Sequence, residues 1–276
     1  MRVAALQLSS TDDPAENLVE TLSMIDQAVQ GDATFIATPE VTNIISGSRT
    51  HQRAVLHTQA DDPTLAAIQS AAREHNVWIL IGSLALLTDD PDGRFANRSF
   101  LIGPDGQIAG QYDKIHMFDV VLSESETYRE SDGYRPGSQA VLVNTTFGKI
   151  GMSVCYDVRF PHLYRRLAQA GAHILTIPAA FAQTTGQAHW EILLRARAIE
   201  TGCFVIAPAQ CGTHLTRHGP ERKTHGHSMI IGPWGDIIAQ ANREKGIVFA
   251  DIDLDDVDKT RARVPSLSKT QDIIGP

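Results

Sequence analysis

Only three cysteines occur in the 276-residue chain, at Cys155, Cys203 and Cys211. So small and odd a number does not build a disulfide framework, so the expected compartment is a reducing, cytoplasmic one and the fold needs no covalent staple. Basic residues are also in deficit, with 24 Lys and Arg against 32 Asp and Glu and a formal net charge of −8. A surface that binds nucleic acid needs the opposite balance, which excludes that class of partner. No apolar run approaches the roughly 20 residues that span a bilayer, so no membrane partner is expected. The opening Met1-Arg2-Val3-Ala4-Ala5-Leu6-Gln7 reads as a short strand and lacks the apolar core and cleavage site of a secretion signal. Internal repeats and low-complexity linkers are missing as well.

What remains is ordinary globular material, 42% hydrophobic and 20% charged, in which short apolar runs alternate with helical patterns. Strands are expected over 3–8, 34–37, 77–87, 140–144, 149–154, 173–177, 204–207 and 247–252. Helices are expected from Asp13-Pro14 to Gly31, from Asp62-Pro63 to about Asn76, and over 161–170 and 188–201. Gly103-Pro104-Asp105-Gly106 and Gly232-Pro233-Trp234-Gly235 mark hairpins, the first joining strands over 94–102 and 107–112, the second over 226–231 and 235–239. The tail after Asp255 begins as a short helix and turns polar. Residues 114–139 read as a loop, long enough to be functional. Strands and helices interleaved to the end give an α/β fold, with residues 1–276 as one domain.

Three strand ends carry reactive groups. Cys155 follows the apolar run Gly151-Met152-Ser153-Val154, just before a polar turn and a helix. Glu40 ends Phe35-Ile36-Ala37-Thr38-Pro39-Glu40, and Lys114 ends Gln111-Tyr112-Asp113-Lys114. Taken singly, each has a bland reading: a buried structural cysteine, a solvated loop acid, a surface lysine. Together they are complete for acyl transfer. The thiol is the nucleophile, a carboxylate of raised pKa is its base, and an ammonium faces the oxyanion.

These segments resemble the signature motifs of the nitrilase, or carbon–nitrogen hydrolase, superfamily. The likeness runs from Val3-Ala4-Ala5-Leu6-Gln7-Leu8 to Gly226-His227-Ser228-Met229-Ile230-Ile231-Gly232-Pro233-Trp234-Gly235. It implies a four-layer αββα sandwich. It also implies a homodimer or higher homo-oligomer, joined through the helix after the cysteine and the helix over 188–201. A second glutamate is implied between the lysine and the cysteine. Glu130, in Tyr128-Arg129-Glu130-Ser131-Asp132, matches it better than Glu124 or Glu126. The reaction implied is hydrolysis of a small carboxamide to acid and ammonia through a thioester, with no cofactor and no metal. Lys114 and the Tyr156 backbone N–H would hold the oxyanion.

Lys114-Ile115-His116-Met117-Phe118-Asp119-Val120 and Cys155-Tyr156-Asp157-Val158-Arg159-Phe160-Pro161 resemble the Nit branch. That branch includes amidases of deaminated glutathione and ω-amidases of 2-oxo acid amides such as α-ketoglutaramate. The His116–Val120 stretch favours the first. Gly133-Tyr134-Arg135 departs from the pattern beside the pocket, which bears on substrate preference. An anionic substrate calls for cations, with Arg159 first and Arg129 and Arg195 behind it, each of which could instead make a structural ion pair. Other readings stay open. They are an N-carbamoyl amino acid hydrolase, a nitrilase, a Cys–His hydrolase using His116 or His173, and a binding protein on a hydrolase scaffold. A metal site drawn from Cys203, Cys211, His214, His218, His225 and His227 is a further one, against which the cysteine spacing counts.

Overall fold

The computed structural model describes residues 1–124, 126–269, 271 and 275. Its first half runs β1 (Arg2–Gln7), α1 (Pro14–Gln30), β2 (Phe35–Ala37), α2 (Arg49–Val55), α3 (Pro63–His75), β3 (Trp78–Leu86), β4 (Ala96–Ile102), β5 (Ile108–Asp113), β6 (Asp119–Val121) and β7 (Thr127–Arg129). The second half runs β8 (Val141–Asn144), β9 (Lys149–Met152), α4 (Pro161–Gln169), β10 (Ile174–Thr176), α5 (Gln183–Thr201), β11 (Phe204–Ala207), β12 (Cys211–His214), β13 (Arg222–His225), β14 (Met229–Ile231), β15 (Ile237–Gln240), β16 (Gly246–Asp251) and α6 (Asp255–Arg263).

Two six-stranded sheets form the centre, ordered β16-β1-β2-β3-β4-β5 and β15-β14-β11-β10-β9-β8. Each is built around three parallel strands, β1, β2 and β3 in one and β9, β10 and β11 in the other, extended by antiparallel neighbours. The parallel strands are buried along almost their whole length, as their unbroken apolar runs require. Edge strands β5 and β15 alternate instead.

Side-chain alternation sorts the core into layers. Ala4, Leu6, Ile36, Ile79, Ile81 and Phe100 pack against Met24, Ile25 and Ala28 of α1 and Leu65, Ile68 and Ala72 of α3. Their neighbours Val3, Ala5, Phe35, Ala37 and Leu80 face the second sheet. The same apolar cluster continues through that sheet to Leu163 and Leu167 of α4 and Trp190 and Leu194 of α5. The layers are therefore helix, sheet, sheet, helix: the four-layer αββα sandwich.

Helix ends follow their sequence signals. The Asp13 side chain accepts hydrogen bonds from the N–H groups of Ala15 and Glu16, and that of Asp62 from Leu65 N–H. Asn76 closes α3 in the left-handed conformation, with φ 54°. Helix α5 starts at Gln183, five residues before the expected position 188. The polar helix α2 and the hairpins β6–β7 and β12–β13 have no counterpart in the sequence reading. The hairpin β6–β7 lies inside the stretch read as a loop. In the polar end of the tail, positions 270, 272–274 and 276 fall outside the described residues.

Candidate active site

Chain segments leaving β2, β5, β7, β9 and β10 meet in one buried cluster. Glu40 lies three residues past β2 and is 3% exposed. The turn that carries it is strained: Val41 has φ 47°, a region a β-branched residue rarely adopts. The Ser83 hydroxyl accepts the Val41 N–H at 2.8 Å and supports that turn. Strand β3 passes so close beneath it that a Cβ on Gly82 would overlap the carbonyl oxygens of Thr38 and Pro39. Cys155 lies three residues past β9, with φ 51°, on the short helical turn Cys155–Arg159. Two strained residues at one site are consistent with chemistry there.

Lys114, directly after β5, is 2% exposed. Its Nζ donates to Glu40 Oε1 and to both carboxylate oxygens of Glu130, each at 2.8 Å. Glu40 Oε1 also accepts from Asn97 Nδ2 at 2.9 Å, and Oε2 accepts from the Ala180 N–H at 2.8 Å. Glu130 Oε2 accepts from the Phe118 N–H at 2.6 Å, and its Oε1 lies 3.3 Å from Asn97 Nδ2. The Cys155 thiol is close enough to Glu40 for each group to shift the other's titration.

A buried aspartate aligns the lysine segment with the cysteine turn. Asp157 Oδ2 accepts from Val154 N–H at 2.8 Å and from Tyr112 Oη at 2.6 Å. Its Oδ1 accepts from His116 N–H at 3.0 Å and pairs with His116 Nδ1 at 2.6 Å. Residues 112–116 and 154–157 are thereby tied across the two sheets.

Electrostatics set the resting state. Burial pushes the Glu40 carboxyl up, but the charge and hydrogen bond of Lys114, the charge of Arg222 and the nearby Cys155 thiol outweigh it and bring it down to about 2. This reverses the raised carboxyl expected from sequence, because the lysine sits in direct contact. Burial and the Glu40 charge push the Cys155 thiol well above 9. Burial disfavours charge on Lys114, yet Glu130 and Glu40 hold it firmly as a cation. At rest the site is a neutral thiol beside a carboxylate–ammonium–carboxylate cluster.

A cavity of about 670 Å³ opens above the cluster, lined among others by Glu40, Lys114, Glu130, Cys155, Tyr156 and Phe181. That is ample for a small organic substrate. A match to the carbon–nitrogen hydrolase family model spans residues 2–262. The chain belongs to the carbon–nitrogen hydrolase family. It is 41% identical to a deaminated glutathione amidase of Synechocystis over 96% of both chains. It is 36% identical to the mouse protein of that name over 95% of this chain and 81% of the other. The crystal structure of the Caenorhabditis elegans NitFhit protein superposes with a TM-score of 0.88 at 35% identity, over 98% of this chain and 65% of that longer one. The protein is a hydrolase that acts on amides.

Of the cations expected from sequence to bind substrate in this carbon–nitrogen hydrolase, the structure brings only Arg129 to the cavity lining. Arg159 lies outside it, its guanidinium over the rings of Tyr156 (5.8 Å) and Phe181 (5.3 Å) and 3.2 Å from His189 Nδ1. Arg195 is further removed in role: it donates to Gly235 O and pairs with Glu191 on its own helix. Closeness in sequence to the nucleophile singled out Arg159, but the turn after Cys155 carries its guanidinium onto the two rings and outside the lining. Arg222, on the unexpected strand β13, lines the cavity instead, as do Arg49 and Lys223. Gly133 and Tyr134, where the chain departs from the family pattern, line it too, as does Glu126, whereas Glu124 does not.

Neither histidine considered as a partner of Cys155 is free for it. His116 is bound to Asp157 and stacked on Phe160 at 3.5 Å, and His173 Nδ1 accepts from Lys149 N–H. Of the six residues weighed as a metal set, Cys211 pairs across the hairpin with His225, whose ring lies 4.6 Å from that of His227, but these form no metal-compatible group among the described residues. The Cys203 thiol faces Ala172 O, and the His214 nitrogens are engaged by Ser10 O and the Thr224 hydroxyl. His218 alone joins a metal-compatible group among the described residues, with Asp12 and His51. There the histidine rings stack at 4.0 Å, and Asp12 Oδ2 is already taken by the N–H groups of Arg217 and His218.

Proposed function

We propose that this enzyme hydrolyses the amide joining a 2-oxoglutaryl group to an amine, with deaminated glutathione as substrate, and so acts in metabolite repair. The convergence of Glu40, Lys114, Glu130 and Cys155 in one buried cluster supports the chemistry. The relatives named for that substrate support the substrate.

The amide carbonyl docks against Cys155 with its oxygen facing Lys114 and the Tyr156 backbone. As the C–S bond forms, the thiol proton passes to Glu40. A carboxyl held near 2 is a poor base at rest, so the transfer is coupled to attack. As charge builds on the oxyanion, Lys114 interacts more with it and less with Glu40, whose basicity then rises. Glu40 next gives its proton to the amine as the C–N bond breaks, leaving a thioester on Cys155. Water, deprotonated by Glu40, adds to the thioester, and the acid and free thiol are released. Glu130 holds Lys114 in place throughout. Deaminated glutathione contains only secondary amides, so the amine released is cysteinylglycine. The ammonia expected from sequence applies only to primary amides such as α-ketoglutaramate.

The reading also takes the chain as one cytoplasmic domain that pairs as a homodimer. Three unpaired cysteines and the exposed Ile192 and Ile199 on α5 support it. Light scattering reads the dimer directly. The substrate is tested by 2-oxoglutarate release from deaminated glutathione and from α-ketoglutaramate at equal concentration. Faster turnover of deaminated glutathione is expected. Faster turnover of α-ketoglutaramate would make the enzyme an ω-amidase, and inactivity on both would remove the 2-oxo acid from the account.

A further inference from the structure

Four cations besides Lys114 line the cavity: Arg49, Arg129, Arg222 and Lys223. Three of them are exposed, and two are already occupied. Arg49 donates to the carbonyls of Asp132 and Arg129, and Lys223 lies 3.5 Å from Glu221. Arg222 differs. It is half-buried, and its Nη2 is anchored on Ala180 O at 2.8 Å. The N–H of that same Ala180 holds Glu40 Oε2. One residue thus separates the guanidinium from the candidate base. No carboxylate pairs with Arg222 among the described residues, and its buried Nε has no acceptor. A guanidinium placed in a cavity wall with donors unfilled is built to receive a planar anion.

We propose that Arg222 is the receptor for the substrate carboxylate adjoining the keto group, and so the residue that selects 2-oxo acid amides over neutral ones. This rests on the reading that the substrate carries a 2-oxoglutaryl group. Both deaminated glutathione and α-ketoglutaramate present that acyl half, so Arg222 selects the acid portion and leaves the choice of amine to other residues. Hairpin β12–β13 is the means of delivery. His214 on β12 is bonded to Ser10 O and to Thr224, next but one to Arg222, which fixes the hairpin on the body of the fold. A second consequence follows from the shared Ala180. The Arg222 charge helps to keep Glu40 acidic in the empty site. A carboxylate bound to Arg222 offsets that charge, and the base gains strength when the right substrate is present.

The test compares kcat/KM of the wild-type, Arg222→Gln and Arg222→Lys enzymes on three amides: deaminated glutathione, α-ketoglutaramate and 4-oxopentanamide, which lacks the carboxylate. The ratio of α-ketoglutaramate to 4-oxopentanamide turnover is expected to fall by about 100-fold in Arg222→Gln, the scale of a charge-assisted bidentate contact. Arg222→Lys, which keeps charge without the fork, is expected to recover only part. Thermal melting of each variant reports folding, and a variant that does not fold is replaced by Arg222→Met. An unchanged ratio would overturn the assignment. So would a loss confined to deaminated glutathione, which would move Arg222 to the far carboxylate of the leaving group. Wild-type inactivity on both 2-oxo acid amides would instead defeat the proposed function. In that case calorimetric binding of 2-oxoglutarate, expected to weaken by a similar factor in Arg222→Gln, still decides the role of Arg222.

Discussion

Both carboxylate oxygens of Glu130 lie 2.8 Å from Lys114 Nζ. An ammonium has three N–H groups, and Glu40 takes another at the same distance. All three N–H groups are thereby engaged, so Glu130 fixes the position of the Lys114 ammonium without touching Cys155 itself. Glu130→Gln is expected to fold, to keep its melting temperature within a few degrees, and to lose about 100-fold in kcat with a smaller change in KM, the scale of a misplaced oxyanion donor. Steady-state kinetics beside a melting curve check this, and an unaffected kcat would remove Glu130 from the mechanism.

Glu40 and Cys155 pull each other's titration apart. The thiol, pushed well above 9 by burial and by the Glu40 charge, should alkylate slowly with iodoacetamide at neutral pH and faster as pH rises past 9. Glu40→Gln removes one of those causes while Lys114 remains. Its thiol should titrate at lower pH, visible as thiolate ultraviolet absorbance, even as amide hydrolysis is lost. A thiol that titrates at higher pH in the variant would contradict this electrostatic assignment.

The same carboxyl links stability to pH. Its value is depressed from 4.5 to about 2, so the stabilisation is complete above 4.5 and is lost as pH falls through that interval. Urea unfolding at a pH of about 3 and of about 6 should show a smaller difference in Glu40→Gln than in the wild type.

Asp157 carries four hydrogen bonds on two oxygens while fully buried. Asp157→Asn keeps the shape but replaces an acceptor oxygen with a donor that faces other donors. A cost of roughly 3 kcal/mol is expected, with kcat lowered through the displaced nucleophile turn. His116→Ala, which leaves the other three bonds intact, is expected to cost less on both counts. Chemical unfolding and kinetics of the pair separate alignment by Asp157 from any role of the imidazole.

Gly82→Ala tests the strained turn beneath Glu40. The added methyl has no room against the carbonyls of Thr38 and Pro39. Destabilisation of about 3 kcal/mol or more is expected, together with loss of activity, because the clash is with backbone and cannot be relieved by a rotamer change. Melting curves measure it.

Glu40 and Cys155 were legible because each ends an apolar run, where α/β folds expose their chemistry, whereas Lys114 ends the alternating edge strand β5 and gained weight only beside them. Glu130 needed the family resemblance, since an acid in a polar loop is unremarkable by itself. Asn97 sits at the start of a strand, and no local pattern marks its amide as the bridge between two glutamates. Arg222 was hidden because Arg222-Lys223-Thr224-His225 has no apolar alternation and reads as a charged loop. Its strand exists through pairing with Cys211–His214, a long-range contact that periodicity does not report. Arg159 and Arg195 lie outside the lining for the converse reason: helical geometry turns them towards aromatic rings and the Gly235 carbonyl. Layer order was legible from the interleaved elements only with the resemblance, because composition does not choose among α/β architectures.

Covalent catalysis at Cys155 is tested most directly by rapid-quench mass spectrometry of the enzyme turning over deaminated glutathione. A 2-oxoglutaryl adduct on the Cys155 peptide, formed and lost at rates compatible with turnover and missing from an inactive Cys155→Ala enzyme, is the expected result. Full turnover by Cys155→Ala, or turnover by the wild type with the acyl group found on another residue, would contradict the account.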